Sequence, residues 1–318
     1  MTTLNTEQFT EFKRKRDAWM EWLSGGDIHS IKNQIIWMIW DAGVFRVINE
    51  ARRLAPTDDS GEVQLNGIEH DLINRGFMVS QASAIRRLVD RGPAQGPRGV
   101  YSLYGLLDDM EKHAHLMTRE HIFAAENLEY DYESVRAAYI EYCHQKARTA
   151  DGPFGIPPNL RWEGPADRHE EIDRLSGETR DRRSPRDAVR PDCFCRLKKR
   201  LEVCDGIKDY VDKFIAHAAT PWSRAAVDPE NLRVLLDRLL ERFWDAHEAI
   251  SRVANLVSIR LLGGSNVGGL MTPQFDQFRH MDKALVNSDN VPHLRELWRQ
   301  YERDTREWSS VGIEELAP

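Results

Sequence analysis

The residues best spaced for chemistry lie between positions 205 and 220, in the stretch DGIKDYVDKFIAHAAT. Lys213 and His217 are four residues apart, so on an α-helix they lie one turn above each other on one face. Tyr210 lies one turn further back, and Asp212 lies beside this line. Side chains of these types could hold and donate protons near neutral pH. We therefore take these four residues as the candidate catalytic residues.

The end of this predicted helix sets the environment of His217. Thr220 precedes Pro221, and the residue before a proline is pushed out of the α-helical region, so the helix ends soon after His217. The negative end of the helix dipole favours the imidazolium form, which suits a residue that holds or donates a proton. The alternative interpretation is a half-exposed histidine that only caps or packs the helix end.

An apolar stripe must position this polar group. Its residues recur at steps of three, four and seven and predict a helix with one side facing a core: Ile207, Tyr210, Val211, Phe214, Ile215 and Ala218. Similar spacing predicts helices along most of the chain. No run of alternating β-branched residues with hairpin dipeptides at its ends predicts a strand. The expected fold class is all-α.

Four segments together are similar to a known family. They are YVDKFIAHAA (210–219), SAIRRLVD (83–90), SLYGLLDDM (102–110) and DRLSGETRDRRSPRD (173–187). In these segments the chain, from about Ile28 to about Val257, resembles the abortive-infection U-type branch of the HEPN superfamily. The resemblance implies a helical bundle that forms a homodimer, and many members of that superfamily are metal-independent ribonucleases. It also implies RNA as a partner, together with a neutralising or sensor protein.

The catalytic signature of that superfamily is an arginine, commonly followed by a polar residue, with a histidine four to six residues beyond the arginine. His217 matches the histidine and Asp212 the polar residue, whereas Val211 stands where the arginine is expected. In the implied chemistry, the histidine handles a proton of the ribose 2′-hydroxyl or of the leaving oxygen, and the arginine stabilises charge on the phosphate. Lys213 is the nearest cation, but an ammonium lacks the planar, two-pronged geometry of a guanidinium.

Arg86 and Arg87 are the candidate substrate-binding residues. They belong to a helix that turns its apolar residues inward, which leaves Arg86 pointing outward and Arg87 at the margin. If they lie near the active end of the bundle, they supply the cation that Val211 does not. The alternatives are solvation at the surface and a salt bridge to Asp90.

A literal match to the signature occurs elsewhere, at Arg242 and His247 in RFWDAH. With 44 Lys and Arg and 11 His in 318 residues, one such spacing is expected by chance. His247 borders the apolar stripe of its predicted helix. We interpret it as a histidine at the edge of the core.

Composition limits the class of protein. A charged fraction of 30% indicates a soluble chain, and a net charge of −7 argues against broad adhesion to nucleic acid or to anionic membranes, so any RNA binding must be local. The four cysteines do not have the spacing of a disulfide framework, and no signal peptide is evident, so we expect the reducing cytoplasm. The apolar run IIWMIWDAGVF is interrupted by charges and predicts a buried helix rather than a membrane span.

The predicted organisation has three parts: an N-terminal helical arm (1–27), a HEPN-like bundle (28–260) that includes a long loop at 148–192, and a C-terminal helical extension (261–318). Within the bundle we expect two short helices at 68–75 and 79–91. Residues 103–146 are expected to form a helix pair or one helix broken around Tyr130.

No metal or cofactor is predicted. His113 and His115 are two residues apart and fall on different helix faces, and the cysteines Cys193, Cys195 and Cys204 lack the spacing of a zinc knuckle.

Three functions remain open at this stage. The first is a ribonuclease of phage defence or of a toxin-antitoxin system; the second is a degenerate HEPN protein that binds RNA, a nucleotide or a protein without cleavage; the third is a helical dimerisation scaffold.

Overall fold

The computed structural model describes residues 5–57, 59–60, 66–93, 99–149, 155–215, 239–269, 276, 278–279, 283 and 288–308. The chain forms two compact units, Met1–Leu270 and Met271–Pro318. The described residues contain helices of the α, 3-10 and π types and no named strand, with one isolated β-bridge between Thr118 and Ala188. The all-α prediction is therefore confirmed.

The α-helices of the first unit are α1 (Thr6–Ser24), α2 (Ile31–Arg53), α3 (Gly67–Leu88), α4 (Leu103–Lys112), α5 (Arg119–Glu126), α6 (Tyr132–Thr149), α7 (Glu163–Ser176), α8 (Pro191–Leu201), α9 (Asp205–Tyr210) and α10 (Leu239–Asn255). Two π-helical segments, Val211–Ile215 and Leu256–Leu261, follow α9 and α10. Helix α11 (Val291–Trp308) belongs to the second unit.

Helix α10 lies against α2, α3, α4 and α8, and it forms the centre of the packed bundle. Helix α2 also packs on α1 and α3, and α3 packs on α9 and on the π-helical segment that follows it. The end of α3 is thereby placed beside the segment that carries the candidate catalytic residues. Among the described helices, none is long and apolar enough to cross a membrane.

Helix α1 belongs to the core of the first unit rather than to a separate arm. The Asn5 side chain caps the helix by accepting a hydrogen bond from the Gln8 amide at 3.3 Å. Phe12, Trp19 and Leu23 recur on one face and are buried. Burying a side chain of this size stabilises the fold by about 1.5–3 kcal/mol, so this face holds α1 in place. The predicted boundary at residue 27 does not separate two units.

Helix α3 is one continuous helix, where two short helices had been expected. Gly76 lies in its middle, and a glycine there costs only about 1 kcal/mol. The ring of Phe77 stacks on that of Phe45 in α2, with ring centroids 3.6 Å apart. This contact fixes the backbone around Gly76 in the helix and offsets the cost.

Residues 103–149 form α4, α5 and α6, with two breaks. The first follows His113 and contains the 3-10 turn Ala114–Leu116. The second begins at Asn127, which ends α5 in the left-handed conformation with φ 53°. The prediction of a break around Tyr130 was close, and the break after His113 was missed.

The segment 148–192 is not one long loop, because it contains helix α7. That helix was hidden because two of the residues it turns to the interior are polar, Arg168 and His169. The Arg168 guanidinium donates Nε to Glu126 Oε2 at 2.9 Å and Nη1 to the Arg260 carbonyl at 2.7 Å. These charge-assisted hydrogen bonds attach α7 to its neighbours, as apolar contacts do for other helices.

Candidate functional site

The structure describes four of the six predicted site residues with their side chains: Arg86, Arg87, Tyr210 and Asp212. His217 and the side chain of Lys213 lie outside the described part of the chain. Tyr210 is half-buried against the core. The structure brings Arg86 and Asp212 together and places Arg87 beside them on α3.

The contact between Arg86 and Asp212 joins residues that are 126 positions apart in the chain. Arg86 lies in the last turn of α3 and donates Nε to Asp212 Oδ1 at 3.0 Å. Its Nη1 also pairs with Asp90 one turn further along. Lys208 donates to the other oxygen of Asp212, Oδ2, at 3.1 Å. The Arg86 guanidinium therefore contacts a residue, Asp212, that is five positions before His217 in the sequence.

A second ion pair fastens the same two parts of the chain. Arg91 Nη2 lies 3.3 Å from Asp205 Oδ1, at the first residue of α9. The Arg91 guanidinium also lies over the ring of Tyr104, 4.8 Å from its centroid. Exposed pairs of this kind contribute little stability, but two of them along one contact help to fix how α9 lies against the end of α3.

The protonation of Asp212 limits its role. Burial raises the pKa of the Asp212 carboxyl, but the hydrogen bonds from Arg86 and Lys208 outweigh burial and leave this pKa below its ordinary value. The hydrogen bond to Asp212 in turn raises the pKa of Arg86. Both groups are ionised near neutral pH. Asp212 can therefore orient the guanidinium, but it is a poor proton donor.

Val211, at the position where the resemblance implies an arginine, is 3% exposed and packs in the core. An arginine at this position would bury a charge, which is costly without a partner. The residues from Val211 to Ile215 form a π-helix, a form often found at functional sites. Residues there do not follow the α-helical spacing from which the alignment of Lys213 with His217 was predicted.

An open cleft of about 350 Å³ lies beside Arg86. Arg86, Arg87 and Asp90 line it from the end of α3, and His29 and Tyr101 line it from the starts of α2 and α4. Arg87 is exposed and has no carboxylate within ion-pair distance among the described residues. The cleft thus holds a histidine and an arginine without an ion pair among the described residues, together with the carboxylates of Asp27 and Asp90.

A second arginine cluster was missed by sequence reasoning. Arg119 is 0% exposed, and its Nη2 donates to Asp173 Oδ1 at 2.7 Å and to Asp187 Oδ2 at 2.9 Å. Its Nε donates to Asp187 at 3.2 Å, and its Nη1 donates to His169 Nδ1 at 3.0 Å and to the His169 carbonyl at 3.1 Å. Arg183 also pairs with Asp173. All five N–H donors of Arg119 are satisfied.

The histidine of this cluster is neutral. His169 Nδ1 accepts from Arg119, so Nε2 carries the proton and donates to the Tyr130 carbonyl at 2.9 Å. Burial lowers the pKa of His169, and the charge of Arg119 lowers it further. With all five donors of Arg119 used inside the protein, the cluster serves to hold the 173–187 segment on α5. That segment is one of those that carry the HEPN resemblance.

In the second match to the signature, at Arg242 and His247, the histidine is buried and Arg242 is partly exposed. His247 is 7% exposed, and burial together with the charge of Arg46 lowers its pKa to about 4. The Arg46 guanidinium lies 3.8 Å from the ring centroid of Trp244, which contacts the His247 ring edge-on. The structure thus places His247 where a histidine at the edge of the core was expected.

Among the described residues, no group of three or more His, Cys, Asp or Glu is placed to hold a metal ion. His113 and His121 each bond a backbone carbonyl through Nδ1, at 2.7 and 2.8 Å. The four cysteines are free thiols, and burial raises the pKa of Cys204 to about 12.

Comparisons of the chain with protein-family models, with curated proteins and with solved structures found no significant match.

Proposed function

We propose that the protein is a HEPN-like, metal-independent endoribonuclease that acts in phage defence or in a toxin-antitoxin system in the cytoplasm. His217 is the proton carrier, Arg86 faces the scissile phosphate, and Asp212 orients Arg86. The observation that carries the proposal is the hydrogen bond of 3.0 Å between Arg86 Nε and Asp212 Oδ1. It puts a guanidinium beside the segment that lacks the arginine of the signature.

The reaction needs two proton transfers, one from the ribose 2′-hydroxyl and one to the leaving oxygen, and negative charge develops on the phosphate oxygens. The ribose 2′-oxygen loses its proton and bonds to phosphorus, the bond from phosphorus to the 5′-oxygen breaks, and a proton goes to that leaving oxygen. His217 handles a proton in this exchange. Arg86 stabilises the negative charge that develops on the phosphate oxygens, which is the task for which a planar fork is better suited than an ammonium. The depressed pKa of Asp212 keeps its carboxylate ionised for this positioning.

The homodimer is part of the same proposal, because HEPN sites are usually formed across a two-fold interface. So is a neutralising or sensor protein, since a free ribonuclease would harm its own cell. Light scattering during size-exclusion chromatography measures the first of these. A monomer at micromolar concentration would remove the dimer from the proposal.

A second function has its own support. Arg86 is held by two carboxylates, Asp90 and Asp212, and Val211 is part of the core. A guanidinium engaged in this way suits the recognition of RNA, a nucleotide or a protein partner without cleavage. This is the function of a degenerate HEPN protein, and the same assay distinguishes the two.

The test is cleavage of end-labelled RNA by the purified full-length protein. His217→Ala and Arg86→Ala should each lower the rate about a hundredfold or more, the usual effect of removing one stabilising donor or proton carrier. Arg75→Ala is the matched control, since Arg75 lies on the same helix in an exposed pair with Asp71. Equal cleavage by wild type and His217→Ala would reject the assignment, and RNA binding without cleavage would favour the second function.

A further inference from the structure

An open groove of about 230 Å³ is lined by residues of α7, of α8 and of the π-helical segment Leu256–Leu261. Its lining consists of apolar side chains and arginines: Leu175, Cys193, Leu197, Leu256, Leu261, Arg196, Arg200 and Arg260. Small-molecule sites usually have volumes of about 300–1,000 Å³, which is more than this groove offers. The groove is therefore better sized for a few aliphatic side chains of a protein partner than for a whole small molecule.

The π-helical segment places an apolar side chain at the surface of the groove. Leu256 is 37% exposed, whereas Leu197 and Leu261 beside it are 8% and 3% exposed. π-Helical turns are rare and occur frequently at functional sites. The groove thus presents one exposed leucine next to buried ones, which is a surface that an apolar side chain of a partner would cover.

Two arginines of the groove have no ion pair in the described chain. Arg196 and Arg200 are exposed and four residues apart, so they lie one turn apart on one face of α8. Arg196 Nη2 donates to the Cys193 sulfur at 3.3 Å, and sulfur is a weak acceptor. Neither guanidinium has a carboxylate within ion-pair distance among the described residues. Arg260, by contrast, pairs with Glu171.

The groove is positive within a chain whose net charge is −7. None of the described residues that line it is acidic, and none is aromatic. Complementary charge selects partners at protein interfaces, so the arginines favour a partner that carries carboxylates. RNA is the other anionic partner to consider, but its bases bind best where aromatic rings can stack on them. The lining therefore favours an acidic protein surface with apolar side chains.

We propose that this groove binds an acidic, amphipathic helix of a partner protein. The helix lays its apolar side chains against Leu256 and pairs its carboxylates with Arg196 and Arg200. Glutamates four residues apart on such a helix lie one turn apart, as the two arginines do on α8. Each arginine can bond a carboxylate through two parallel N–H donors, which adds specificity to the attraction. The inference does not rest on the proposed nuclease, because no groove residue belongs to the candidate site.

The test is fluorescence anisotropy of the full-length protein with three labelled helical peptides of about 20 residues. The first has a leucine stripe at helical spacing flanked by glutamates. The second has lysine in place of each glutamate, and the third has serine in place of each leucine. The first peptide should bind, and the other two should bind at least about tenfold more weakly. Added salt should weaken the binding, because the charged pairs lie at the surface.

Substitutions in the groove locate the binding. Arg200→Glu should weaken the acidic peptide about tenfold or more and strengthen the lysine peptide, since the charge of the groove is reversed. Lys199→Glu is the matched control, because it makes the same change of charge on an exposed residue of α8 that does not line the groove. Leu256→Ser should also weaken the acidic peptide. Thermal unfolding near that of wild type shows that this variant is folded.

Three results would overturn the inference: no binding of the acidic peptide at about millimolar concentration, equal affinity for the lysine peptide, or equal losses in Lys199→Glu and Arg200→Glu. Two others would assign the groove differently and also reject it. Displacement of the peptide by single-stranded RNA that is lost in Arg200→Glu would make the groove an RNA site. A dimer that dissociates in Arg200→Glu would make it an interface with a second copy.

The outcomes for the two proposals are separate. RNA cleavage without binding of the acidic peptide rejects the groove alone. Binding of the peptide without RNA cleavage rejects the nuclease alone.

Discussion

The two arginine clusters of the first unit both pair arginine with aspartate, and they differ in how completely the arginine side chains are paired within the protein. Around Arg119 every N–H donor has an acceptor inside the protein, and the guanidinium is wholly buried. At the end of α3, Arg86 is 33% exposed in its side chain, and Arg87 beside it has no ion pair in the described chain. The difference teaches that completeness of pairing, rather than the presence of charge, separates a structural cluster from a candidate site.

The two clusters also differ in the expected cost of breaking an ion pair. Breaking a buried ion pair by removing one partner leaves an uncompensated charge and costs several kcal/mol. An exposed pair contributes about 0–1 kcal/mol. Substitutions in the Arg119 cluster should therefore change the free energy of unfolding, and those at the end of α3 should chiefly change binding and catalysis.

The largest expected effect is that of Arg119→Ala. It leaves Asp173 and Asp187 without their buried partner, and we expect a loss of about 3–5 kcal/mol in the free energy of unfolding, measured by urea denaturation. Arg180→Ala is the matched control, because Arg180 pairs with Glu133 in an exposed position and its loss should leave the free energy of unfolding nearly unchanged. Equal stability of the two variants would contradict the structural role of the Arg119 cluster.

The next effect depends on pH and concerns His247, a buried group without the partners that His169 has. Its pKa is about 4 in the folded protein and 6.5 in the unfolded chain, so the unfolded chain takes up the proton first as the pH falls. The stability present above pH 6.5 is then lost between pH 6.5 and 4. At pH 5 the loss is about 2 kcal/mol relative to pH 8.

Denaturation curves of wild type and His247→Leu, taken at several pH values, measure this loss. The wild type should lose more stability than the variant between pH 8 and pH 5. His169, whose pKa is also lowered, acts in the same direction in both proteins and cancels from the difference. Parallel pH profiles would show that His247 is not a buried neutral group.

Smaller changes in stability are expected at the end of α3. Arg86→Ala should lower the free energy of unfolding by about 1 kcal/mol, because its pairs with Asp90 and Asp212 are partly exposed. Arg87→Ala should change it by less than about 0.5 kcal/mol, as is usual for an exposed side chain. Thermal unfolding of both variants checks the order. A larger loss for Arg87→Ala than for Arg86→Ala would reverse the assignment of the two residues.

The sequence predicted the parts of the fold that rest on apolar spacing. The all-α class was correct, because apolar residues repeat at helical spacing along most of the chain. Helix α7 was missed because Arg168 and His169 take interior positions that the pattern reserves for apolar residues. The joining of two predicted helices into α3 depends on the contact between Phe77 and Phe45, which no local pattern shows.

The sequence names candidate site residues but does not give their geometry. A salt bridge to Asp90 was one alternative for the arginines of α3, but the contact of Arg86 with Asp212 depends on how α3 lies against α9. Residues 126 positions apart have no spacing rule. The roles of Arg119 and Asp187 were missed for the same reason, although the charged segment 173–187 had been singled out by its resemblance.

Cleavage of RNA by Arg86→Lys tests the central claim most directly, because this variant keeps the charge near Asp212 and removes only the planar fork. We predict that Arg86→Lys unfolds at nearly the same temperature as wild type and cleaves about a hundredfold more slowly, while Arg75→Lys behaves as wild type in both measurements. Wild-type cleavage by Arg86→Lys and Arg86→Ala alike would contradict the claim that this guanidinium replaces the missing arginine.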